Sequence, residues 1–406
     1  MTFDELYRKL LSDETDGESQ DITDYDPHHL DCLLNPEKYA SVWRIGNCEC
    51  GEQSCVKKCQ FGAIAKDENG EIQIDAARCT GCGECLESCM AKKLVPAKEV
   101  LAALHALHRK SGPKYALVAP AFLGQFSADV TPGKLREALR ALGFDGMIEV
   151  ALFADILTLK EALEFDRNIK TESDFQLTSC CCPIWIAMIR KVFGELMPHV
   201  PGSVSPMIAC GRTVKILHPD AVTFFIGPCV AKKAEAREPD LKGAVDFVLT
   251  FEELRDAFDA AGIDPRKMPE SHRDHSSRAG RIYARAGGVS EAVKSTLERI
   301  SPGRAPHLHA QHADGVSACR EMMKGLKEGT LTANFYEGMG CAGGCVGGPK
   351  VILPPSEGMR NVNEYGDSAT YKTPIDNPYV IELLNRLGFN TIEALLEKSD
   401  IFTREF

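Results

Sequence analysis

The sequence lacks the apolar segments that carry a chain into or across a membrane. Its first residues mix acids and bases and contain no uninterrupted apolar stretch followed by a small-residue cleavage site, so no secretory signal is visible. The most apolar segments, 115–126 and 221–231, are too short to span a bilayer, and each contains proline. We therefore expect a soluble, cytoplasmic protein with no membrane partner.

An excess of positive charge is also absent. The 47 Lys and Arg residues are outnumbered by 58 Asp and Glu residues, which gives a net charge of −11. Nucleic acids and anionic membranes are bound largely through clustered positive charge, so we expect neither as a partner. The glycine patterns of a P-loop or a dinucleotide-binding fold are missing as well, and we expect no flavin or nicotinamide site.

Cysteine, in contrast, is abundant, with 17 residues in the chain. Closely spaced cysteines in a cytoplasmic protein favour metal ligation over disulfides. The group at 79–89 has the spacing Cys-x2-Cys-x2-Cys-x3-Cys, which wraps three thiolates around one iron-sulfur cube and carries the fourth to a neighbouring cube. A zinc site would fit better with two Cys-x2-Cys pairs separated by a longer spacer. The group at 48–59, Cys-x-Cys-x4-Cys-x3-Cys, keeps only the last of these intervals.

This eight-cysteine segment resembles the two-cluster ferredoxins. By that analogy, one 4Fe-4S cluster would be ligated by Cys48, Cys50, Cys55 and Cys89, and the other by Cys59, Cys79, Cys82 and Cys85. The proline that usually follows the fourth cysteine is absent, since Gln60 and Met90 occupy those places. A module of this kind conducts electrons, and the rest of the chain must supply or consume them.

The length of 406 residues predicts two to four domains. We expect a helix at 3–11 and an acidic linker at 13–26 within a first segment, 1–38, followed by a small α+β ferredoxin-like domain at 39–96 with a hairpin around Asn69-Gly70. From 97 to 406, apolar runs alternate with helical patterns, which indicates an α/β catalytic domain with mostly parallel sheets and two short C-terminal helices at 379–398.

Three loops of the large domain place cysteine among glycine and proline, at 178–185, 227–235 and 337–349. Such loops bring thiolates to a cluster without crowding by helical side chains. Residue chemistry alone predicts a third cluster with one cysteine from each of the first two loops and two from the last. We expect the glycine pairs 343–344 and 347–348 to open space for a group bulkier than a side chain. Lys232 would add a positive charge beside the anionic ligands.

These loops closely resemble the signature loops of the FeFe (iron-only) hydrogenases, and the first is similar to that of a subgroup with three consecutive cysteines. The likeness covers nearly the whole chain from about residue 40 and includes the segment 286–292. It implies a two-lobed catalytic domain that holds an H-cluster, in which a 4Fe-4S cube is joined through a cysteine thiolate to a diiron unit with CO, cyanide and an azadithiolate. The implied cube ligands are Cys182, Cys229, Cys341 and Cys345, with Cys345 as the bridge.

The resemblance also implies the surroundings and the reaction. Lys232 would hold a cyanide, and Pro228, Met339 and the backbone around Ala119 and Pro120 would line the diiron pocket. The implied reaction is the reversible conversion of protons and electrons to H2, with a ferredoxin or similar carrier as redox partner. Separate hydrogenase maturation proteins would supply the diiron unit to this anaerobic enzyme.

A proton relay is implied at Cys181, followed by Glu161 and Glu164. Their spacing places both glutamates on one face of a helix, although two solvated helix acids would show the same pattern. If the first loop is aligned on Thr178 and Ser179 instead of Pro183, the ligand becomes Cys181 and the relay becomes Cys180.

The chain also departs from the family pattern. Cys180 is an additional thiol without a derived role, Gly227 stands where a methionine often precedes the proline, and Pro201 stands where a serine often continues the proton path. Cys32, Cys210 and Cys319 are expected to be buried packing residues, and the histidines at 307–312 to lie at the surface.

Two other functions fit the same fold. One is an iron-sulfur assembly or scaffold protein without the diiron unit, against which Lys232 and Cys345 argue. The other is a hydrogen sensor with low turnover, which usually carries an attached signalling domain that we do not find.

Overall fold

The computed structural model describes residues 1–16, 22–48, 50, 54–178 and 181–406. Two helices open the chain, α1 (Phe3–Asp16) and α2 (Pro27–Leu34). The sequence-based helix at 3–11 is too short, and the acidic linker cannot begin at residue 13. The Glu14 carboxylate lies 3.7 and 3.6 Å from ring nitrogens of His105 and His108, and this contact extends α1 through the first acids of the run.

The eight-cysteine segment is built from very short elements. They are β1 (Val42–Arg44), α3 (Ser54–Lys58), β2 (Ile64–Lys66), β3 (Ile72–Ile74), α4 (Glu84–Glu87) and β4 (Leu94–Pro96). β1 pairs antiparallel with β4, and β2 pairs antiparallel with β3 across the predicted Asn69-Gly70 turn. Short antiparallel pairs with two short helices bury little apolar surface, so the cysteine side chains make up much of this segment's core.

The first lobe of the large domain is a parallel sheet in the order β6-β5-β8-β9. Its strands are β5 (Lys114–Val118), β6 (Gly146–Glu149), β8 (Val222–Gly227) and β9 (Phe247–Thr250). The helices of this half are α5 (Val100–Arg109), α6 (Pro132–Leu142), α9 (Pro206–Leu217), α10 (Ala231–Ala236) and α11 (Phe251–Ala260). Helix α7 (Ala151–Asn168) contacts both lobes, and α8 (Pro183–Val192) packs in the second. Strand β8 is buried along its whole length, as expected for a parallel strand covered on both faces.

The second lobe is a three-stranded parallel sheet in the order β10-β11-β7. Its strands are β7 (Gln176–Leu177), β10 (Ala310–Asp314) and β11 (Phe335–Met339). The remaining helices are α12 (Arg278–Arg281), α13 (Gly288–Ile300), α14 (Val316–Glu328), α15 (Pro355–Asp367) and α16 (Pro378–Arg386), followed by a 3-10 turn at Ile392–Leu396. The predicted α/β class with mostly parallel sheets is thus confirmed.

The two lobes have separate apolar cores, and helix α7 contributes to both. Phe153 and Ile156 of this helix pack into the first core, whereas Ala154 and Phe165 pack into the second. The loops that leave the carboxyl ends of β8 and β11 therefore meet at the junction of the lobes, the usual place for a site in a parallel α/β fold. Among the described residues, no helix combines the length and apolar composition needed to cross a bilayer.

Candidate metal centres

The structure gathers the cysteines of the small segment into two sets of four. In the first set, the Sγ atoms of Cys48 and Cys50 lie 3.5 Å apart. Burial raises the pKa of the Cys55 thiol, and the charges of Cys50, Cys89 and Cys48 add to this effect, which places all four thiols around one point. They line a cavity of about 250 Å³ together with Arg44, Lys93 and Leu94 among other residues. We call these thiols the outer set.

The second set comprises Cys59, Cys79, Cys82 and Cys85, and we call it the inner set. Burial raises the pKa of Cys82 to about 11, with the charges of Cys79 and Cys59 contributing. The pKa of Cys85 rises further, through burial and then the charges of Cys82, Cys79 and Cys59. The backbone N–H of Ala63 donates to the Cys59 Sγ at 3.2 Å. The irregular spacing at 48–59 thus still places three thiols in the outer set and one in the inner set.

The inner set touches the large domain directly. Gly81 has φ +69°, and a β-carbon on it would lie 2.9 Å from the Cα of Ala231, the first residue of α10. Only glycine permits this approach in a left-handed conformation. Lys191 closes the contact from the other side, because its ammonium group donates to the carbonyls of Ala77 and Arg78 at 3.2 and 3.3 Å.

A third set of four thiols lies where the two lobes meet. It comprises Cys182, Cys229, Cys341 and Cys345, and we call it the junction set. Burial and the charges of neighbouring thiols raise the pKa of Cys229 to about 11 and that of Cys345 to about 12. The pKa of Cys341 is raised by burial, then by the other three thiols and also by Cys82 of the inner set. The inner and junction sets are therefore close neighbours.

Each thiol of the junction set is positioned by the end of a regular element. Pro183 begins α8 and places Cys182 just before it, where the Sγ accepts the backbone N–H of Gly340 at 3.2 Å. Cys229 follows the carboxyl end of β8, and Cys341 follows that of β11. The set is therefore assembled from three distant parts of the sequence by the packing of the two lobes.

The glycine pairs of the last loop have a different role from the one predicted. A β-carbon on Gly344 would lie 2.5 Å from the backbone nitrogen of Ala286, and one on Gly348 would lie 2.9 Å from the Cβ of Pro228. Protein atoms fill the space beside these two glycines, and a β-carbon on Gly347 would overlap the Ala342 carbonyl oxygen. At these three positions the expectation that the pairs open room for a bulky group is wrong, because the glycines allow neighbouring segments to pack against the loop. Beside Gly343 the nearest atom would lie 3.9 Å from a β-carbon, so space is open only there.

Lys232 is buried beside the junction set, and its Nζ lies 2.7 Å from the carboxylate of Glu235. Burial acts to lower the pKa of Lys232, but Glu235 and the charges of Cys229 and Cys345 outweigh it, so the pKa is raised and the ammonium form is retained. Glu235 is a site residue that the sequence reasoning missed. Its position three residues after the lysine on one helix turn was the available signal.

The adjacent Lys233 is also buried, but it serves the fold. Its Nζ donates to the Val248 carbonyl at 2.6 Å and lies 2.9 Å from the carboxylate of Glu253. Neighbouring positions of a helix face different directions, so one lysine reaches the thiols and the other ties α10 to β9 and α11.

Of the predicted lining residues, Ala119, Pro120 and Pro228 lie together beside the carboxyl end of β8, and Met339 packs in the second core. Ala119 is buried, and its N–H donates to the Ile226 carbonyl at 2.9 Å, just before Gly227 and Pro228. Pro120 follows in a short 3-10 turn at Pro120–Phe122, and Met339 is buried at the end of β11. A β-carbon on Gly227 would lie 3.0 Å from the Cβ of Ala119, which explains why no methionine stands there.

The predicted relay acids lie inside the protein. Glu161 and Glu164 of α7 are only 2% and 4% exposed, so the interpretation as two solvated helix acids is wrong. Glu164 accepts a hydrogen bond from Lys160, which is itself buried, and burial raises the pKa of Glu164. Cys181 is partly buried against the second core. Cys180 lies outside the described residues.

Among the predicted packing cysteines, Cys32, Cys210 and Cys319 are buried as expected. Cys319 also has a contact that the sequence did not indicate, because its thiol donates to the Met339 carbonyl at 3.3 Å. Burial and the charge of Cys182 raise its pKa to about 12, so it stays a neutral thiol behind the junction set. The three histidines at positions 307, 309 and 312 are exposed, as predicted.

Comparison with known proteins places these sites in a family context. Residues 113–349 match the family model described as "Iron only hydrogenase large subunit, C-terminal domain". The match spans all three loops of the junction set.

Individual relatives agree with this match. Iron hydrogenase 1 of Clostridium pasteurianum is 28% identical over 263 residues, which is 55% of this chain and 46% of the relative. The NADP-reducing hydrogenase subunit HndD of Solidesulfovibrio fructosivorans is 26% identical over 381 residues, 78% of this chain and 64% of the relative. The chain thus spans about half to two thirds of the length of these relatives.

Two further similarities support less specific conclusions, one about the fold and one about part of the chain. An FeFe-hydrogenase structure from Chlamydomonas reinhardtii matches with a TM-score of 0.59 at 23% identity, covering 74% of this chain and 98% of that one, which shows a shared fold. A cytosolic Fe-S cluster assembly factor of Sclerotinia sclerotiorum is 27% identical over 191 residues, 42% of this chain and 30% of the factor.

Proposed function

Since the chain belongs to the iron-only hydrogenase large-subunit family, we propose that it catalyses the reversible conversion of protons and electrons to H2. One observation carries the proposal: four thiols from three loops, one buried and three partly buried, lie close together at the junction of the lobes, with the ammonium group of Lys232 beside them. An H-cluster bound there would supply the redox chemistry of hydrogen.

The four thiols of the junction set are the donor type that a 4Fe-4S cube requires. In the absence of metal, burial and mutual repulsion hold the pKa values of Cys229, Cys341 and Cys345 above the ordinary range of a thiol. Iron reverses this balance, because coordination deprotonates a thiol. We assign Cys182, Cys229 and Cys341 as cube ligands and Cys345 as the ligand shared with the diiron unit.

The diiron unit would lie beside Pro228, Met339, Ala119 and Pro120. Ala119 is hydrogen-bonded to Ile226, just before Gly227 and Pro228, and a β-carbon on Gly348 would meet both Pro228 and the Cys345 carbonyl oxygen, which supports the assignment on this side. Lys232 would donate a charge-assisted hydrogen bond to an anionic ligand of that unit. Glu235 would hold the lysine side chain in position, since its carboxylate lies 2.7 Å from the Nζ.

Protons would reach the site through Cys181, Glu161 and Glu164. Burial favours the neutral form of a carboxyl group and raises the pKa of Glu164, which favours its role as a proton carrier. The hydrogen bond from Lys160 works against this and keeps the residue able to release the proton. Pro201 has no hydrogen-bond donor, so the outward path past α7 must use other groups or water.

Electrons would pass through two accessory 4Fe-4S clusters, one on the outer set and one on the inner set. Cys82 of the inner set is near enough to Cys341 to raise its pKa, which supports transfer between these two sets. We propose a ferredoxin or similar small carrier as the partner at the outer set. Met90 is 83% exposed beside Cys89, and the exposed Lys92 and Lys93 follow it, which gives an apolar contact with positive charge for an acidic carrier.

A second candidate is a role in iron-sulfur cluster assembly, which the likeness to the assembly factor favours. Such a role needs the cube ligands. It gives no function to the buried Lys232–Glu235 pair or to a cysteine shared with a diiron unit.

Infrared spectroscopy of the protein after anaerobic maturation separates the two. A hydrogenase is expected to show CO and cyanide stretching bands together with H2 production from a reduced low-potential dye. A preparation that carries all its 4Fe-4S clusters after co-expression with the maturation proteins, yet lacks these bands, would contradict the hydrogenase proposal and favour the assembly role.

A further inference from the structure

A cavity of about 240 Å³ lies in the first lobe among residues that the proposed hydrogen chemistry does not use. It is enclosed by β6, the first turn of α7, the end of α9 and the loop before α12. Much of its wall is aliphatic or aromatic, formed by Met147, Ile148, Leu152, Phe153, Val214, Leu217 and Leu383. These side chains favour a ligand with an apolar body.

The inner end of this cavity contains two polar atoms without partners. Arg136 is 3% exposed, and its Nη1 donates to the carbonyl and hydroxyl oxygens of Ser271 at 3.2 and 3.0 Å. Its Nε has no hydrogen-bond partner among the described residues, and neither has the Oγ1 of the buried Thr213. A buried donor that lacks an acceptor is costly, so the Arg136 guanidinium is only partly satisfied by the protein at this cavity.

The outer end of the cavity carries more positive charge. Arg273 and His218 line it and are exposed, whereas His275 is half-buried. The side chain of Arg273 forms no ion pair with any residue that the structure describes. Burial lowers the pKa of Arg136, and the charge of Arg273 lowers it further against the effect of Glu149. The pKa of His275 is lowered by burial and then by Arg273 and Arg136.

One carboxylate, Glu149, stands among the described residues that line the cavity. Its Oε1 lies 3.7 Å from Arg136 Nη2, and its Oε2 accepts the hydroxyl of Tyr365 at 2.7 Å. Burial raises the pKa of Glu149, and the nearby Asp274 is itself paired with Arg281. The two guanidinium groups facing Glu149 therefore leave at least one positive charge uncompensated. A ligand with one negative charge would balance it, whereas a dianion would overcompensate and approach Glu149 unfavourably.

We propose that this cavity binds a small monocarboxylate with a short aliphatic body. The carboxylate accepts hydrogen bonds from the Arg136 guanidinium and from Arg273 at the opening, and the aliphatic body lies against Phe153, Val214 and Leu383. Because Phe153 belongs to the first turn of α7, an occupant would contact the same helix that carries Glu161 and Glu164. Binding itself does not depend on the hydrogenase function.

Calorimetric titration of the full-length protein with butyrate tests the proposal. Butyramide serves as the neutral probe of the same shape, and inorganic phosphate as the anion without an aliphatic body. Arg136→Met removes the inner guanidinium and Arg273→Met the outer one. Arg140→Met, on the same helix but half-exposed and paired with Glu137 at 3.1 Å, is the matched control.

Butyrate is expected to bind, with affinity reduced about tenfold by either Arg136→Met or Arg273→Met and unchanged by Arg140→Met. Butyramide is expected to bind at least about tenfold more weakly. If butyrate gives no heat, if butyramide or phosphate binds as well, or if neither cavity variant weakens binding, the cavity holds only water and the proposal is wrong. Because Arg273 is exposed, its variant tests the proposal even if Arg136→Met does not fold.

Discussion

The two accessory thiol sets and the junction set hold the same kind of ligand on opposite kinds of scaffold. All eight accessory thiols come from one stretch, 48–89, whose strands are three residues long. The four junction thiols come from three loops between residues 182 and 345 and are held by two parallel sheets with their own cores. The small segment thus takes much of its core from its own cysteine side chains, whereas the large domain brings its thiols together through two apolar cores.

This difference teaches where each site is vulnerable. A scaffold with little apolar core gains much of its folding free energy from metal binding. A site built on parallel strands with an apolar core is expected to form before metal binds. Substitutions that disturb the packing of that core should therefore affect it most. The predictions that follow probe this contrast.

Removal of iron gives the largest expected effect. Protein produced without cluster assembly should lose amide protection across 39–96 by roughly a thousandfold, because the accessory segment unfolds without its clusters. Strands β5, β8 and β11 should keep their protection. Hydrogen exchange with mass spectrometry measures both. Equal loss in both regions would mean that the large domain is not preformed.

Replacement of the relay thiol comes next. Cys181→Ala should lower H2 production by about a hundredfold or more, the usual contribution of a positioned proton donor, with the CO and cyanide bands unchanged. Cys180→Ala is the matched control from the same triplet. If Cys180→Ala abolishes turnover with the bands unchanged and Cys181→Ala removes the bands, the alignment on Pro183 is wrong and Cys181 becomes the cube ligand.

The adjacent lysines provide a matched pair of smaller effect. Lys232→Met and Lys233→Met each leave a buried glutamate without its cation, and each should reduce the free energy of unfolding by about 3–5 kcal/mol. Denaturant titration measures this loss. Only Lys232→Met should shift or remove the cyanide bands of the matured protein. If the cyanide bands shift equally in both variants, the shift reflects destabilisation of the protein and not a direct contact from Lys232.

Two glycines with left-handed backbone test the contact between the segment and the large domain. Gly81→Ala and Gly70→Ala should each cost about 1–2 kcal/mol from backbone strain. Only Gly81 faces another backbone, that of Ala231, whereas nothing lies within 4 Å of a β-carbon on Gly70. Gly81→Ala alone should therefore slow H2 production driven by the carrier. Stopped-flow reduction of the clusters would reveal whether the step between the inner and junction sets is the one affected.

Substitutions at the proposed carrier-binding surface should have the smallest effect. Lys92→Glu combined with Lys93→Glu should raise the KM for an acidic ferredoxin several-fold and make it less sensitive to salt, with kcat retained. Lys66→Glu is the control, since this lysine is exposed on the hairpin and does not line the outer cavity. An unchanged KM in the double variant would place the carrier elsewhere.

Much of this fold could be predicted because it depends on residue patterns within short stretches of the sequence. Runs such as 222–226 predict buried parallel strands, and the Asn69-Gly70 pair predicts the hairpin. The grouping of thiols around three points also agrees with the spacing of the cysteines. These features follow from local chain geometry and from the ligand needs of iron-sulfur clusters.

What the sequence could not supply depends on distant partners. Helix α1 extends to Asp16 because Glu14 meets two histidines almost a hundred residues away. Glu161 and Glu164 have the composition of an exposed helix face, yet they are buried because Lys160 enters the core with them. The glycines at 344 and 348 are explained only by the backbone of 285–286 and by Pro228.

Because the junction thiols are dispersed along the sequence, the accessory thiols are all synthesised well before the junction set is complete. The last accessory thiol, Cys89, is translated 256 residues before Cys345. At about 5–20 residues per second, that interval lasts roughly 10–50 s. The accessory segment can emerge from the ribosome and receive iron while the catalytic half is still being synthesised, whereas the junction set is incomplete until nearly the whole polypeptide exists.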